Sequence, residues 1–273
     1  EAVVRLMDRL DDVRRTFSDV LALGDRNGEL ARALDTRPGI RRVVRADFSR
    51  LFAHDAAPAV ALDEEWLPFV PGSFDLVLSA LDLHWVNDLP GALVQINHAL
   101  RPDGLFLAVL PGGETLTELR QALLEAESEI AGGAGLRVSP FVDVREAAGL
   151  LQRAGFALPV ADVETLNVSY ASAIDLMRDL RALGEGNALM ERRRGFTRRA
   201  VLLRAAAIYG ERFGDVDGRV RATFQLVTMT GWAPHADQPK PLPPGSAERR
   251  LAEALGVTEQ SAGDRAAPRP RPT

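Results

Sequence analysis

The chain of 273 residues is 46% hydrophobic and 26% charged, with no cysteine and a net charge of −5. It is long enough for one sizeable α/β domain or two small ones, and the lack of thiols excludes disulfides, thiolate metal sites and cysteine nucleophiles. The acidic balance argues against a general nucleic-acid binder, and no apolar run reaches the ~18–20 residues that cross a bilayer.

In chain order, Val4, Leu6, Leu10, Val13 and Phe17 stand at helical spacing and predict a first helix over residues 2–17. "DVLALG" then reads as a short buried strand ending at Gly24, and "GELARALD" as a helix stopped by "RPG". "IRRVVRAD" predicts a second strand ending at Asp47, and "AVAL", residues 59–62, a third. "SFDLVLSAL", 73–81, is apolar on both faces, as a central parallel strand is. "LPGALVQINHAL", 89–100, predicts a helix closed by "RPDG", and "LFLAVLPGG", 105–113, a fifth strand. Amphipathic helices follow at "ETLTELRQALLEAESEI" and at "DVREAAGLLQRAGF", 143–156.

Strands alternating with helices predict a doubly wound, mostly parallel sheet of Rossmann-like α/β class. "ADVETLNVSY" and "VRATFQLVTMTGW" read as late strands flanking helices near 171–183 and 197–213, which predicts an antiparallel edge and a helical cap over about 171–218. The expected domain covers 1–234, and the Pro-, Ala- and Arg-rich 235–273 reads as a disordered tail with one short helix near 247–255. Lys240 is the single lysine and sits in that tail, which leaves no Schiff-base candidate. Arginine in place of lysine fits GC-rich coding, and the N-terminus shows no signal-peptide core, so the expected setting is a bacterial cytoplasm.

Open parallel sheets bind ligands at the carboxyl ends of their strands, where strand order reverses. The first strand ends in Gly24, and Asp25, Arg26, Asn27 and Gly28 turn into a helix start that offers free N–H groups. Asp47 follows Gly24 by 23 residues, the place of a carboxylate that accepts from a ribose diol; its bland alternative is a helix N-cap. After the third strand, Asp63 is the first acid and suits an adenine amino group, whereas Glu64 and Glu65 read as solvated. "PGGET" places Glu114 at another helix start.

Longer stretches carry a resemblance. "DLHWVNDLP" matches "SLHW-VNDLP", "GGETLTELR" matches "GGDTLYELR", "GEGN" at 184–187 matches "GESN", and "ATFQLVTMTGW" matches "ATYQ…GW". Over residues 2–233 the chain resembles class I S-adenosylmethionine-dependent methyltransferases, and within them the methyltransferase-like complex I assembly factors, whose mitochondrial member hydroxylates an arginine of a complex I subunit. Biotin-synthesis methyltransferases are similar to a lesser degree. The resemblance implies a seven-stranded sheet, S-adenosylmethionine as cofactor, and a protein substrate linked to respiratory complex I. The implied cofactor set is Gly24, Asp25, Gly28, Asp47, Asp63, Glu64 and Ser79, with no metal. The chain departs from the family's Asp-Leu-Gly-Cys-Gly-x-Gly loop at Ala22, where an acid supports the ligand's ammonium, and at Arg26, where a glycine lets it approach. These changes imply weakened binding, with Asp25 as the replacement carboxylate.

His84 and Trp85 follow the fourth strand, where such enzymes meet their acceptor; a base, an aromatic pocket wall and a packed structural pair all remain open. A guanidinium substrate wants a carboxylate fork, for which Glu114 is the first candidate, with Asp82 and Glu118 behind it. Tyr170, Asn187, Gln225 and Trp232 match family positions and are expected near the pocket. Of the histidines at 54, 84, 98 and 235, only "HAD", 235–237, has the spacing of an iron triad, and it reads as coincidence. "ERRRGFTRR", 191–199, reads as a solvated cap face or a dock for an acidic partner. Methylation, arginine hydroxylation and a non-catalytic assembly role are the three functions left open.

Overall fold

The computed structural model describes residues 1–49, 58–133, 135–192, 195–239 and 256–258. His54, Lys240, the expected helix at 247–255 and part of the 191–199 arginine run lie outside them. The chain divides into units Glu1–His235 and Ala236–Thr273. The first unit holds seven strands: β1 (Asp19–Leu23), β2 (Arg42–Asp47), β3 (Ala59–Ala61), β4 (Phe74–Ala80), β5 (Leu100–Pro111), β6 (Ala157–Tyr170) and β7 (Val220–Trp232). They form one sheet in the order β3-β2-β1-β4-β5-β7-β6. Pairing is parallel from β3 to β5, and β7 runs antiparallel to both neighbours, with β6 outside it as the edge.

Every residue of β1 is buried, which is why its apolar run shows no alternation. In β5, Leu105, Leu107 and Val109 pack on one face with α1 (Ala2–Asp11) and α2 (Glu29–Leu34). Phe106, Ala108 and Leu110 pack on the other with α3 (Leu89–Ala99) and α5 (Val144–Arg153). This is the two-residue period of a strand covered on both sides. A third core joins α4 (Thr117–Ala131) to the cap helices α6 (Ala173–Ala182) and α7 (Arg199–Phe213), around the fully buried Tyr209.

Three boundaries differ from the sequence reading. The first helix stops at Asp11, and Phe17 reaches the core from the loop that enters β1. Helix α3 does end just before "RPDG", at Ala99, but β5 begins at once at Leu100, and "RPDG" forms a bulge inside it: Leu100 pairs with Phe74, and pairing resumes only at Leu105 with Leu76. A side chain at Gly104 would meet the Arg101 carbonyl at 2.8 Å, so the bulge accepts only glycine there. Helix α4 begins at Thr117, after Leu116 turns left-handed at φ 56°, so Glu114 is not at its start.

Candidate active site

The order reverses between β1 and β4, and the loops after β1, β2, β3 and β4 meet above that point. The first loop is held from within. Both carboxylate oxygens of Asp25 accept from α2, at 3.0 Å from the Leu30 amide and 3.1 Å from the Ala31 amide. Arg45 lies 3.4 Å from Asp25 and donates to its carbonyl at 2.9 Å, with both side chains buried. Two of the first helical N–H groups are thus taken within the loop, and the Asp25 carboxylate is bonded to α2 rather than left free to replace the acid missing at Ala22. Nor do the two glycines leave open space. A side chain at Gly24, φ 73°, would fall 2.0 Å from the Asp82 carboxyl carbon, and one at Gly28 would sit 3.2 Å from the Arg45 guanidinium.

Carboxylates gather at the next three strand ends. Asp47 closes β2, and its Oδ1 accepts the Ser49 amide at 2.8 Å. The Leu62 amide donates to the Asp47 carbonyl at 3.1 Å, so β3 delivers its acids beside it. The acid that turns inward is Glu64, not Asp63. Glu64 is buried, whereas Asp63 is exposed, accepts the Glu65 amide at 2.9 Å and forms a tight turn with Trp66. Glu65 bonds outside the cluster, to the Asn87 side chain at 2.9 Å. Asp82, just past β4, completes the group with 5% of its side chain exposed. Burial pushes the Asp82 carboxyl up to about 7, helped by Glu64 and Asp47, while burial and the neighbouring Asp47 and Asp63 also raise Glu64.

Among the described residues, one oxygen on each of Asp47, Glu64 and Asp82 is buried without a hydrogen-bond partner. Arg26 supplies the nearby positive charge, 3.6 Å from Asp47 Oδ2 and 3.7 Å from Asp82 Oδ1. Those separations are ion pairs rather than hydrogen bonds. Ser79 is wholly buried in β4 and its hydroxyl is also unpartnered.

Beside this cluster lies a cavity of about 820 Å³, walled by the β1–α2 loop, the residues after β4, α4, β7 and the cap. Its volume falls in the usual range for small-molecule sites. Leu116, Leu119, Phe141, Met177 and Leu180 supply an apolar wall. A short 3-10 turn, Leu83–Trp85, sets His84 and Trp85 into it. His84 Nε2 lies 3.1 Å from Glu185 Oε2 of the cap, and its ring centre is 5.1 Å from Trp85 and 6.2 Å from Phe141. The Nδ1 of His84 and the indole N–H of Trp85 are buried and unpartnered.

Other expected positions fall elsewhere. Glu114 is exposed and outside the cavity wall, and it is engaged through its backbone: its amide donates to the Gln225 side chain at 3.2 Å and its carbonyl accepts the Thr117 amide at 3.2 Å. Glu118 is buried but spent on Thr223, taking its amide at 3.1 Å and its hydroxyl. Asn187 and Gln225 line the cavity. Tyr170 instead donates to Asp179 at 2.8 Å, and Trp232 pairs with Leu105 at the far end of β5. Three acidic residues line the cavity, Asp25, Glu29 and Glu185; Glu185, the one on the cap side, sits in the "GEGN" stretch, which was its only signal in the sequence. Among the described residues no group of three or more His, Asp or Glu is placed to hold a metal ion, and no helix is long and apolar enough to cross a membrane.

Strand order and site together define a methyltransferase fold. A family model described as a methyltransferase domain matches residues 21–108, which run from β1 into β5. The chain is 42% identical over 255 residues to the mitochondrial arginine-hydroxylase NDUFAF5 of Danio rerio, covering 91% of this chain and 79% of that one. The human NDUFAF5 is 41% identical, with 91% and 73% covered. A malonyl-[acyl-carrier protein] O-methyltransferase of Methylovorus is 34% identical over 247 residues, with 85% and 81% covered. Among solved structures, the YcgJ protein of Bacillus subtilis superposes with a TM-score of 0.56 at 15% identity, covering 86% of this chain and 99% of that one, a likeness of fold alone. The chain belongs to the methyltransferase-domain family that contains the arginine-hydroxylase NDUFAF5 and malonyl-[acyl-carrier protein] O-methyltransferase.

Proposed function

We propose that this chain binds S-adenosylmethionine at the carboxyl ends of β1 to β4 and modifies a side chain of a protein substrate, an arginine of a respiratory complex I subunit. The observation that supports it is the set of unpartnered buried oxygens on Asp47, Glu64 and Asp82. Buried acceptors ask for donors, and a ribose diol and an adenine amino group are donors. Asp47 is the residue for the diol and Glu64 the residue for the amino group; Asp63, exposed and engaged in its own turn, is not. When bound, the cofactor supplies an electrophilic methyl group.

The chain's own residues then position the acceptor. A guanidinium entering the cavity meets Glu185, a partly exposed carboxylate able to form a two-bond fork. The rings of His84, Trp85 and Phe141 offer flat faces on which a planar cation stacks. The cap and the apolar wall of α4 border that space and narrow its contact with water. Hydroxylation of the same arginine is the second reading, favoured by the names of the two NDUFAF5 relatives; it would draw one oxygen atom from dioxygen and a two-electron reductant from solution, with the other oxygen leaving as water, so both are added in the assay.

Incubation with S-adenosylmethionine and arginine-bearing complex I subunits, followed by peptide mass spectrometry, tests the proposal. A methylene added to arginine supports methyl transfer, and an added oxygen supports hydroxylation. An unchanged substrate, with the partner still bound, leaves a non-catalytic assembly role in place of both.

A further inference from the structure

Arg26 belongs to the β1–α2 loop, yet its guanidinium is not used by that loop. It lies between Asp47 of β2 and Asp82 after β4, 3.6 and 3.7 Å away, with 41% of its side chain exposed against 10% and 5% for the two acids. Arg26 lines the 820 Å³ cavity, whereas Asp47, Glu64 and Asp82 do not. The guanidinium therefore stands as a partition between the cavity and the acidic cluster. On the cap side, a side chain built at Gly184 would come 3.9 Å from Arg26 Nη1, so the same guanidinium also reaches the loop that carries Glu185.

The partition is a weak one by construction. Three carboxylates packed together need a counter-charge, and Arg26 provides it from ion-pair distance. It satisfies none of their vacant acceptors, because Asp47 Oδ2, Glu64 Oε1 and Asp82 Oδ2 all remain without a hydrogen bond. A ligand with hydroxyl and amino donors makes the bonds that Arg26 does not. A half-exposed arginine can turn into water when displaced, at little cost.

We propose that Arg26 is a displaceable internal counter-ion: it closes the acidic cluster off from the cavity, and an adenosyl ligand reaches Asp47 only by expelling it. This rests on the adenosyl reading of the site. The ligand pays for opening, so the apparent affinity is the intrinsic affinity multiplied by the fraction of molecules with Arg26 already turned out. The competition is for the ribose carboxylates and not for the amino-acid end of the ligand. It therefore acts alike on ligands with and without that end.

The test uses the full chain and its Arg26→Ala and Arg26→Met variants; methionine keeps length and removes charge. S-adenosylhomocysteine and 5′-methylthioadenosine are titrated calorimetrically into each. If Arg26 is turned out in about a tenth of molecules, both variants bind both ligands about tenfold more tightly than the parent. Unchanged affinity overturns the proposal. So does weaker binding of S-adenosylhomocysteine alone, which would make Arg26 a contact for the ligand's carboxylate. A second readout needs no ligand: thermal unfolding of Arg26→Ala, Asp82→Asn and the double variant. Non-additive shifts support the counter-ion, and additive shifts overturn it whatever the titrations give. If none of the proteins binds an adenosyl ligand while the shifts stay non-additive, the pairing stands and the adenosyl reading falls.

Discussion

The two ends of the sheet treat buried carboxylates in opposite ways. At the amino ends of the strands, Asp19 has 3% of its side chain exposed and is fully engaged: Arg41 donates to it at 2.7 and 2.9 Å, Arg42 at 3.0 Å and Arg101 at 3.0 Å. Its neighbour Asp75 takes the Ser18 and Asp19 amides at 2.9 and 3.0 Å and Arg101 at 2.6 Å. At the carboxyl ends, among the described residues, Asp47 and Asp82 pair with one arginine, Arg26, which hydrogen-bonds to neither of them nor to Glu64. The first arrangement spends its acceptors on stability; the second keeps them for something that arrives.

The ionisation of the two ends differs in the same sense. Burial pushes Asp19 and Asp75 up, but the bonds they receive outweigh it and hold both below the ordinary carboxylate value. Burial at the other end is not outweighed, and Asp82 rises to about 7.

The largest effect expected on stability is at the satisfied end. Asp19→Ala strips three guanidiniums of their common partner. Because those arginines reach water, the loss falls below that of a sealed pair, at about 2 kcal/mol in denaturant unfolding. A loss below about 0.5 kcal/mol would show that the network is decorative.

Next comes pH. The folded chain keeps the Asp82 proton that an unfolded chain, with its ordinary value of 3.8, has released. This group's contribution is therefore complete below that value and is lost as pH rises through about 7. The slope is at most about 1.4 kcal/mol per pH unit for one proton. Asp19 and Asp75 work in reverse: their contribution is present above the ordinary value of 3.8 and is lost as pH falls below it. Stability measured against pH should lose its descent toward neutrality in Asp82→Asn and its acid-side fall in Asp19→Asn. Identical profiles for the two variants would erase the distinction between the ends. The smallest effect is at Glu114. Exposed and outside the cavity, it should change stability and substrate modification by less than about 0.5 kcal/mol when replaced by glutamine.

Local pattern made most of this fold legible. The runs at β1, β4 and the second half of β5 are apolar because each is covered on both faces, and β2 closes on the polar Asp47 where it reaches the site. Single-residue choices were hidden. After a three-residue strand, nothing in "LDEEW" says which acid points inward; the turn between Asp63 and Trp66 decides it by folding Asp63 out. Val13 and Phe17 continue the spacing of α1, yet the chain must extend there to enter β1. Long-range pairing was hidden altogether. Arg26 showed only as a bulky residue where a glycine was expected, and Asp82 only as a reserve for Glu114. That the two face each other needs the strand order. Glu185 lies 101 residues beyond His84, so this cavity carboxylate could not be read from spacing near the fourth strand.

The central claim is that the unsatisfied end receives an adenosyl ligand through Asp47. Calorimetric titration of S-adenosylhomocysteine into the parent chain and into Asp47→Ala tests it most directly. The account predicts one saturable site in the parent and a loss of at least about tenfold in the variant, the worth of charged hydrogen bonds to a diol. Equal affinity in the two proteins would contradict it.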